Sequence, residues 1–375
     1  MNRRLALCLA SLCVVPASAV QLAGAPDELP TVRPLQERLV LEVEKMVTAG
    51  HLRPAYCLCG EHYALMGRSA GDCIDEYWHN PAETIYTLIR ALPHLPTDVR
   101  TRTQDYIKSE FGRYPPQTIT HVGWASGAAR EAFELPPEAE QGLTTGPHAS
   151  PGNYPPPAFT GWRFNPFNFY ACWKYAELFG GAKEILAGVR PRLGPLPEEH
   201  LLKAMPHVLN AYIAGYLGYL GLQDLAQEPR SAQVEAWLQD ALAKRVEHLA
   251  IHPRELNATE AGGFLLLVPE LGDYLYEHAR EAVARNVKLH ESLAEYWFVA
   301  RVDEMTRYET RTAFQEGATS HYYEYASLFN AKALALRESQ EELRKYLDAP
   351  AVAVGDLFYI QNLVATIEAG KGARP

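Results

Sequence analysis

From Leu35 onward, apolar side chains recur at three- and four-residue spacing, and sustained two-residue alternation is scarce. That is the periodicity of packed helices rather than of half-buried strands. Spacing and punctuation predict helices over Leu35–Val47, Pro81–Leu92, Asp98–Phe111, Pro166–Phe179, Ala182–Val189, Pro197–Ala226 and Ala232–Leu249. A second group covers Leu265–His278, Glu281–Val302, Ser320–Leu347 and Val354–Ala369, the longer ones broken. Pro206 and Gly215 both argue against one unbroken helix from 197 to 226, because an internal proline loses a backbone hydrogen bond and clashes with the preceding turn.

The stretch from Tyr114 to Phe164 departs from this pattern. It carries Pro115-Pro116, Pro136-Pro137 and Pro155-Pro156-Pro157 with glycines between them, so it cannot be continuous helix. It also carries Trp124, Phe133, Tyr154, Phe159 and Trp162, which are costly to leave in water. The expectation is an ordered loop excursion, residues 114–164, packed on a helical body.

The N-terminus has the order of an export signal: Arg3-Arg4, an apolar run from Leu5 to Pro16, then Ala17-Ser18-Ala19. Twelve helical residues rise only about 18 Å, too short for a hydrocarbon core of about 30 Å. Residues 1–19 are therefore expected to be a signal peptide and 20–375 a single domain, secreted or periplasmic and off the membrane after cleavage. With Cys8 and Cys13 gone, Cys57, Cys59, Cys73 and Cys172 remain. A bridge from Cys73 to Cys57 or Cys59 is preferred over a metal site, since Cys-x-Cys is not the usual zinc spacing. Cys172, in a strongly helical stretch, is expected to be a buried, inert thiol.

A formal net charge of −10 argues against nucleic acid or an anionic membrane as the main partner. Nucleotide-binding glycine loops, the His-Glu-x-x-His zinc motif and the Gly-x-Ser-x-Gly elbow are all missing from the sequence. No metal and no cofactor is called for. Three regions concentrate chemistry-bearing residues. Asp75-Glu76-Tyr77-Trp78-His79 stands just before the helix that begins at Pro81, with Asn80 as its expected N-cap and Glu83 completing the cap. Trp124, Arg130, Glu131, Trp162 and Arg163 lie in the excursion. Tyr296-Trp297, Arg301 and the run His321-Tyr322-Tyr323-Glu324-Tyr325 lie toward the C-terminus. Twenty-one tyrosines leave open a wet, aromatic groove, because a buried phenol needs a hydrogen-bond partner; interhelical packing is the plainer account of any one of them.

A weak internal likeness links Tyr170–Gly180 with Gly215–Leu225, each aromatic-rich with small residues on one face. Helical hairpins of this kind, an export signal and a long aromatic loop together resemble the α/α-toroid carbohydrate-active enzymes, the six-hairpin glycosidases and related polysaccharide lyases. The resemblance is one of architecture and implies an all-α toroid with a glycan cleft at one end. A hydrolase would draw its carboxyl pair from Asp75, Glu76, Glu131 and Glu324. A lyase would use His79, His321 or Tyr322 as base, with Arg163 or Arg301 neutralising a uronate. Trp78, Trp124, Trp162, Arg163, Trp297 and Arg301 would hold the sugar. The third possibility is a secreted glycan-binding protein without a catalytic pair.

Overall fold

The computed structural model describes residues 34–49, 53–54, 77–79, 81–118, 122–123, 166–196, 206–249, 263–288, 327–347 and 357–371. Its helices are α1 (Leu35–Ala49), α2 (Pro81–Ala91), α3 (Thr97–Arg113), α4 (Phe167–Phe179), α5 (Ala182–Val189), α6 (Pro206–Ala226), α7 (Ala232–Leu249), α8 (Pro269–His278), α9 (Gln340–Leu347) and α10 (Leu357–Ala369). Residues 280–288 are helical as well, and residues 327–330 run into a π-helical turn at Ala331–Ala335. The described part of the chain is thus all-α. The exception is a small antiparallel patch of β1 (Arg53–Pro54), β2 (Tyr77–His79) and β3 (Val122–Gly123), with β2 in the middle. All of these elements belong to one compact unit, Pro34–Pro375. No helix among the described residues is long and apolar enough to cross a membrane.

Burial sorts the helices into two kinds. In α3 the buried positions are Val99, Thr103, Ile107 and Glu110, a single stripe at helical spacing. In α7 they are Val234, Leu238, Ala241, Leu242, Arg245, His248 and Leu249, again one face. By contrast α2 is buried without a break from Pro81 to Leu88, and α4 from Phe167 to Cys172. Between Val208 and Leu222, α6 buries nearly every side chain. A helix covered on all sides lies inside the molecule; a striped one lies over it.

Six segments touch one another in a closed succession, of which α8 buries one face only, Leu271, Gly272 and Leu275. α2 packs on α4, α4 on α6, α6 on α8, α8 on Ala331–Ala335, that turn on α10, and α10 back on α2. The striped helices cover this succession: α3 and α1 on α2, α5 on α4 and α6, α7 on α6, and α9 on α10.

The tightest approach is α4 against α6, and three glycines permit it. A Cβ on Gly215 would stand 2.6 Å from Pro166 Cβ, one on Gly218 2.4 Å from the Phe169 backbone, and one on Gly221 2.3 Å from the Trp173 indole. Contact that close is possible only without a side chain. The expected break at Gly215 is therefore corrected: the glycine lies within α6 and serves packing, while Pro206 does begin the helix, where its missing N–H costs nothing. The two segments alike in sequence, Tyr170–Gly180 and Gly215–Leu225, are these two facing helices.

Of the loop excursion, Tyr114–Thr118 and β3 are described, and neither is helical. The first of these packs on α4, where Asn168 Nδ2 donates to the Pro116 carbonyl at 2.9 Å. Cys172 is fully buried as a free thiol, and burial pushes its pKa well above the ordinary range, as an inert cysteine requires.

Candidate functional site

A small cleft lies where α2, α4, the segment 327–335 and α10 meet. Glu83, Tyr86 and Arg90 enter it from α2, Phe167 from α4, Leu266 and Leu267 from the turn before α8, Asn330 and Leu334 from the segment 327–335, and Gln361 and Ala365 from α10. Glu83, Tyr86 and Arg90 share one helical face by their spacing of three and four. Helix α2 is otherwise apolar or small on its buried positions, so this polar line has an interior destination.

Glu83 is 2 % exposed. Tyr86 is buried, and its ring meets Phe167 and Tyr170 edge-on at centroid distances of 5.7 and 5.3 Å. Its hydroxyl lies beside that of Tyr170 without a hydrogen bond of good geometry. Burial raises the Tyr86 pKa above 10.0, against the pull of Arg90 and with a further push from Glu270 and Glu368. Tyr170 donates to Glu270 Oε2 at 2.6 Å, and Lys174 Nζ stands 3.5 Å from Glu270 Oε1. Burial, Tyr86 and Glu270 all hold the Tyr170 phenol protonated.

Arg90 is bound by Glu368, which stops it from acting as a free cation. Behind that pair, His94 Nε2 stands 3.7 Å from Glu368 Oε1, and His94 Nδ1 is 2.9 Å from Lys371 Nζ. An ammonium can only donate, so Nδ1 accepts and the ring proton belongs on Nε2, toward Glu368. Gln361 Nε2 donates to Thr87 Oγ1 at 2.8 Å, and Asn330 Nδ2 donates to the Phe264 carbonyl at 3.2 Å.

The turn that brings in Leu266 and Leu267 is clamped from three sides. Asn210 Nδ2 donates to the carbonyls of Gly263 and Leu265, both at 2.8 Å. Arg245 donates through Nε to Asn210 Oδ1 at 2.7 Å and through a terminal nitrogen to the Gly263 carbonyl at 2.8 Å. The Phe264 N–H donates to Ser327 Oγ at 2.9 Å. Leu266 sits at φ 55°, a left-handed conformation unfavourable for a bulky side chain and sustained by those anchors.

Of the residues singled out from sequence, Trp78 and His79 lie on β2, directly before α2, with Trp78 registered against Arg53 and Gly123 and His79 against Val122. They are strand residues and not the loop expected. Asp75, Glu76, Trp124, Arg130, Glu131, Trp162, Arg163, Trp297, Arg301, His321, Tyr322 and Glu324 lie outside the described residues, as do Asn80, Cys57, Cys59 and Cys73. The cleft residues themselves were not anticipated from sequence, except Glu83, which was read as a cap. The available signal was the polar line of Glu83, Tyr86 and Arg90 on an otherwise fully buried helix. Among the described residues no three His, Cys, Asp or Glu groups converge as metal donors. No protein-family model, curated protein or solved structure matches the chain. The functional reading therefore rests on the cleft.

Proposed function

We propose that the chain is an exported carbohydrate-active enzyme of α/α-toroid architecture that hydrolyses glycosidic bonds, with Glu83 as the carboxyl working in the cleft. The observation that carries the reading is the closed succession of segments, four of which, with the turn before α8, send side chains into one cleft. A cleft lined by aromatic rings, a carboxyl and amides suits a sugar, whose C–H faces pack on apolar groups and whose hydroxyls need polar partners. Acid–base hydrolysis needs two carboxyl groups about 5 to 9.5 Å apart. Glu83 is one. For the second, Glu270 neighbours Tyr86 and Tyr170, and Asp75, Glu76 and Glu324 stand in sequence shortly before segments that line the cleft.

A uronate lyase is the second reading, favoured by Tyr86 and Arg90 on one face of α2. Against it, a tyrosine base must lose its proton, and burial holds Tyr86 in the protonated form at neutral pH.

The test is turnover of the purified chain on neutral and acidic polysaccharides, read both as new reducing ends and as ultraviolet absorbance of an unsaturated uronate. Reducing ends alone are expected, and Glu83→Gln should lower kcat by about 10²- to 10⁴-fold, the contribution of a general acid. Unsaturated product would turn the assignment to a lyase. Silence across the panel would remove the enzymatic reading and leave a glycan-binding protein.

A further inference from the structure

We propose that His94 is a pH-operated clasp on the end of α10: when its ring takes a second proton, it releases Lys371 and keeps Glu368. The proposal is independent of the carbohydrate reading, although the clasp closes a helix that lines the cleft through Gln361 and Ala365.

His94 belongs to the short turn Leu92–His94 that follows α2, and it is 6 % exposed. That turn is pinned by its backbone from two other helices. Gln36 Nε2 of α1 donates to the His94 carbonyl at 2.9 Å. Arg100 of α3 donates through Nε to the Leu92 carbonyl and through a terminal nitrogen to that of Leu95, both at 2.9 Å. The imidazole is thus carried on a fixed support.

The ring meets two charged groups at the end of α10. Lys371 Nζ stands 2.9 Å from Nδ1, and Glu368 Oε1 stands 3.7 Å from Nε2. From α2, Arg90 holds the same Glu368, and from α3 the Arg100 guanidinium is engaged by the two carbonyls. The neutral ring suits both of its partners, because Nδ1 accepts from the ammonium while the Nε2 proton faces the carboxylate. A second proton can go only to Nδ1. It takes away the lone pair that Lys371 uses and sets two cations against each other. At the same time it strengthens the attraction to Glu368.

Lys371 is the group that moves. It is exposed, so water can receive its three donors, whereas Glu368 is tied to Arg90 as well. The backbone holds the lysine only lightly: its N–H reaches the Glu368 carbonyl at 3.1 Å, and that of Gly370 reaches Thr366 at 3.3 Å.

The experiment is brief acetylation of the full chain from about pH 8 to about pH 5, the span over which an imidazole changes charge. Lys371 is read by mass spectrometry against Lys345, which is paired with Glu342, so that the intrinsic pH dependence of lysine acylation cancels. The ratio should rise about 5-fold toward acid, the scale of one lost hydrogen bond. In His94→Asn, where an amide oxygen that does not titrate stands in for Nδ1, the ratio should stay flat. Nitrogen resonances of the His94 ring, assigned by their loss in that variant, should show Nδ1 gaining its proton with the same midpoint as the labelling. A flat ratio in the unaltered chain, or a rise that persists in His94→Asn, would overturn the clasp. If the variant fails to fold, the unaltered chain still decides by its labelling curve and its imidazole titrations. A labelling midpoint that coincides with no histidine overturns the proposal.

Discussion

At Gly218 a single hydrogen atom decides how closely two helices can lie. An added methyl group would meet the carbonyl carbon and oxygen of Phe169 and the nitrogen of Tyr170, each at 2.4 Å. These are backbone atoms of an interior helix and cannot swing aside as a side-chain tip would. Helix propensity favours alanine over glycine by about 1 kcal/mol in an exposed helix. Here the overlap outweighs it, since overpacking a well-filled core costs about 1–3 kcal/mol. Gly218→Ala should lower the midpoint of urea unfolding with little change in the slope. A higher midpoint would show that α4 and α6 can separate at no cost. The requirement for glycine was partly legible: small residues on one face of 215–221 announced a close approach, but the sequence did not name Phe169 as the neighbour. The residue that approaches lies on another helix, and local spacing says nothing about register between helices.

The turn over residues 263–268 shows how one element depends on others. Sequence placed a helix from Leu265, but α8 starts at Pro269, because Leu266 takes a left-handed φ and Pro269 is pre-set for the first helical position. Nothing local dictates that conformation of Leu266. Arg245 of α7 and Asn210 of α6 hold it in place, and they are separated from each other by 35 residues. Arg245 is 2 % exposed, and burial depresses its pKa to about 10, yet its partners are an amide, a carbonyl and the Phe264 ring at 5.3 Å. Arg245→Met removes a costly buried charge and at the same time orphans Asn210 Oδ1. An unmet buried acceptor costs about 1–3 kcal/mol, and the turn loses an anchor besides. Net destabilisation is expected, measurable as a lower thermal midpoint together with faster amide exchange at residues 263–268. A more stable variant would mean that desolvation of the guanidinium dominates.

At the scale of the whole molecule, the buried phenols set a limit at high pH. The pKa values of Tyr86, Tyr170 and Tyr216 are all raised above the ordinary 10.0, chiefly by burial. Below pH 10 they are protonated in both the folded and unfolded chain and stability is unaffected. Above it the unfolded chain releases these protons while the folded chain retains them, so the unfolded state binds fewer protons and stability falls with rising pH. Arg245 acts in the opposite sense between about pH 10 and its ordinary value, because the folded state there releases a proton first. Three phenols outweigh one guanidinium, and the thermal midpoint should drop steadily from pH 10 upward. Phenolate absorbance should rise in a late step that coincides with loss of helical circular dichroism. A native chain in which every tyrosine titrates near pH 10 would contradict the burial of these rings.

What the sequence determined alone is the inventory of helices. Ala182–Val189 and Ala232–Leu249 have the bounds read from spacing, because caps, prolines, glycines and apolar periodicity act within one or two turns of chain. Tertiary structure decided which helices lie inside and which residues meet in the cleft. Arg90 and Glu368 are 278 residues apart, and Gln361 and Thr87 are 274 apart. Those pairings come from the closure of α10 onto α2. That contact buries apolar faces from opposite ends of the chain, and hydrophobic burial, being non-directional, leaves no mark in the local sequence to show which partner a face will find.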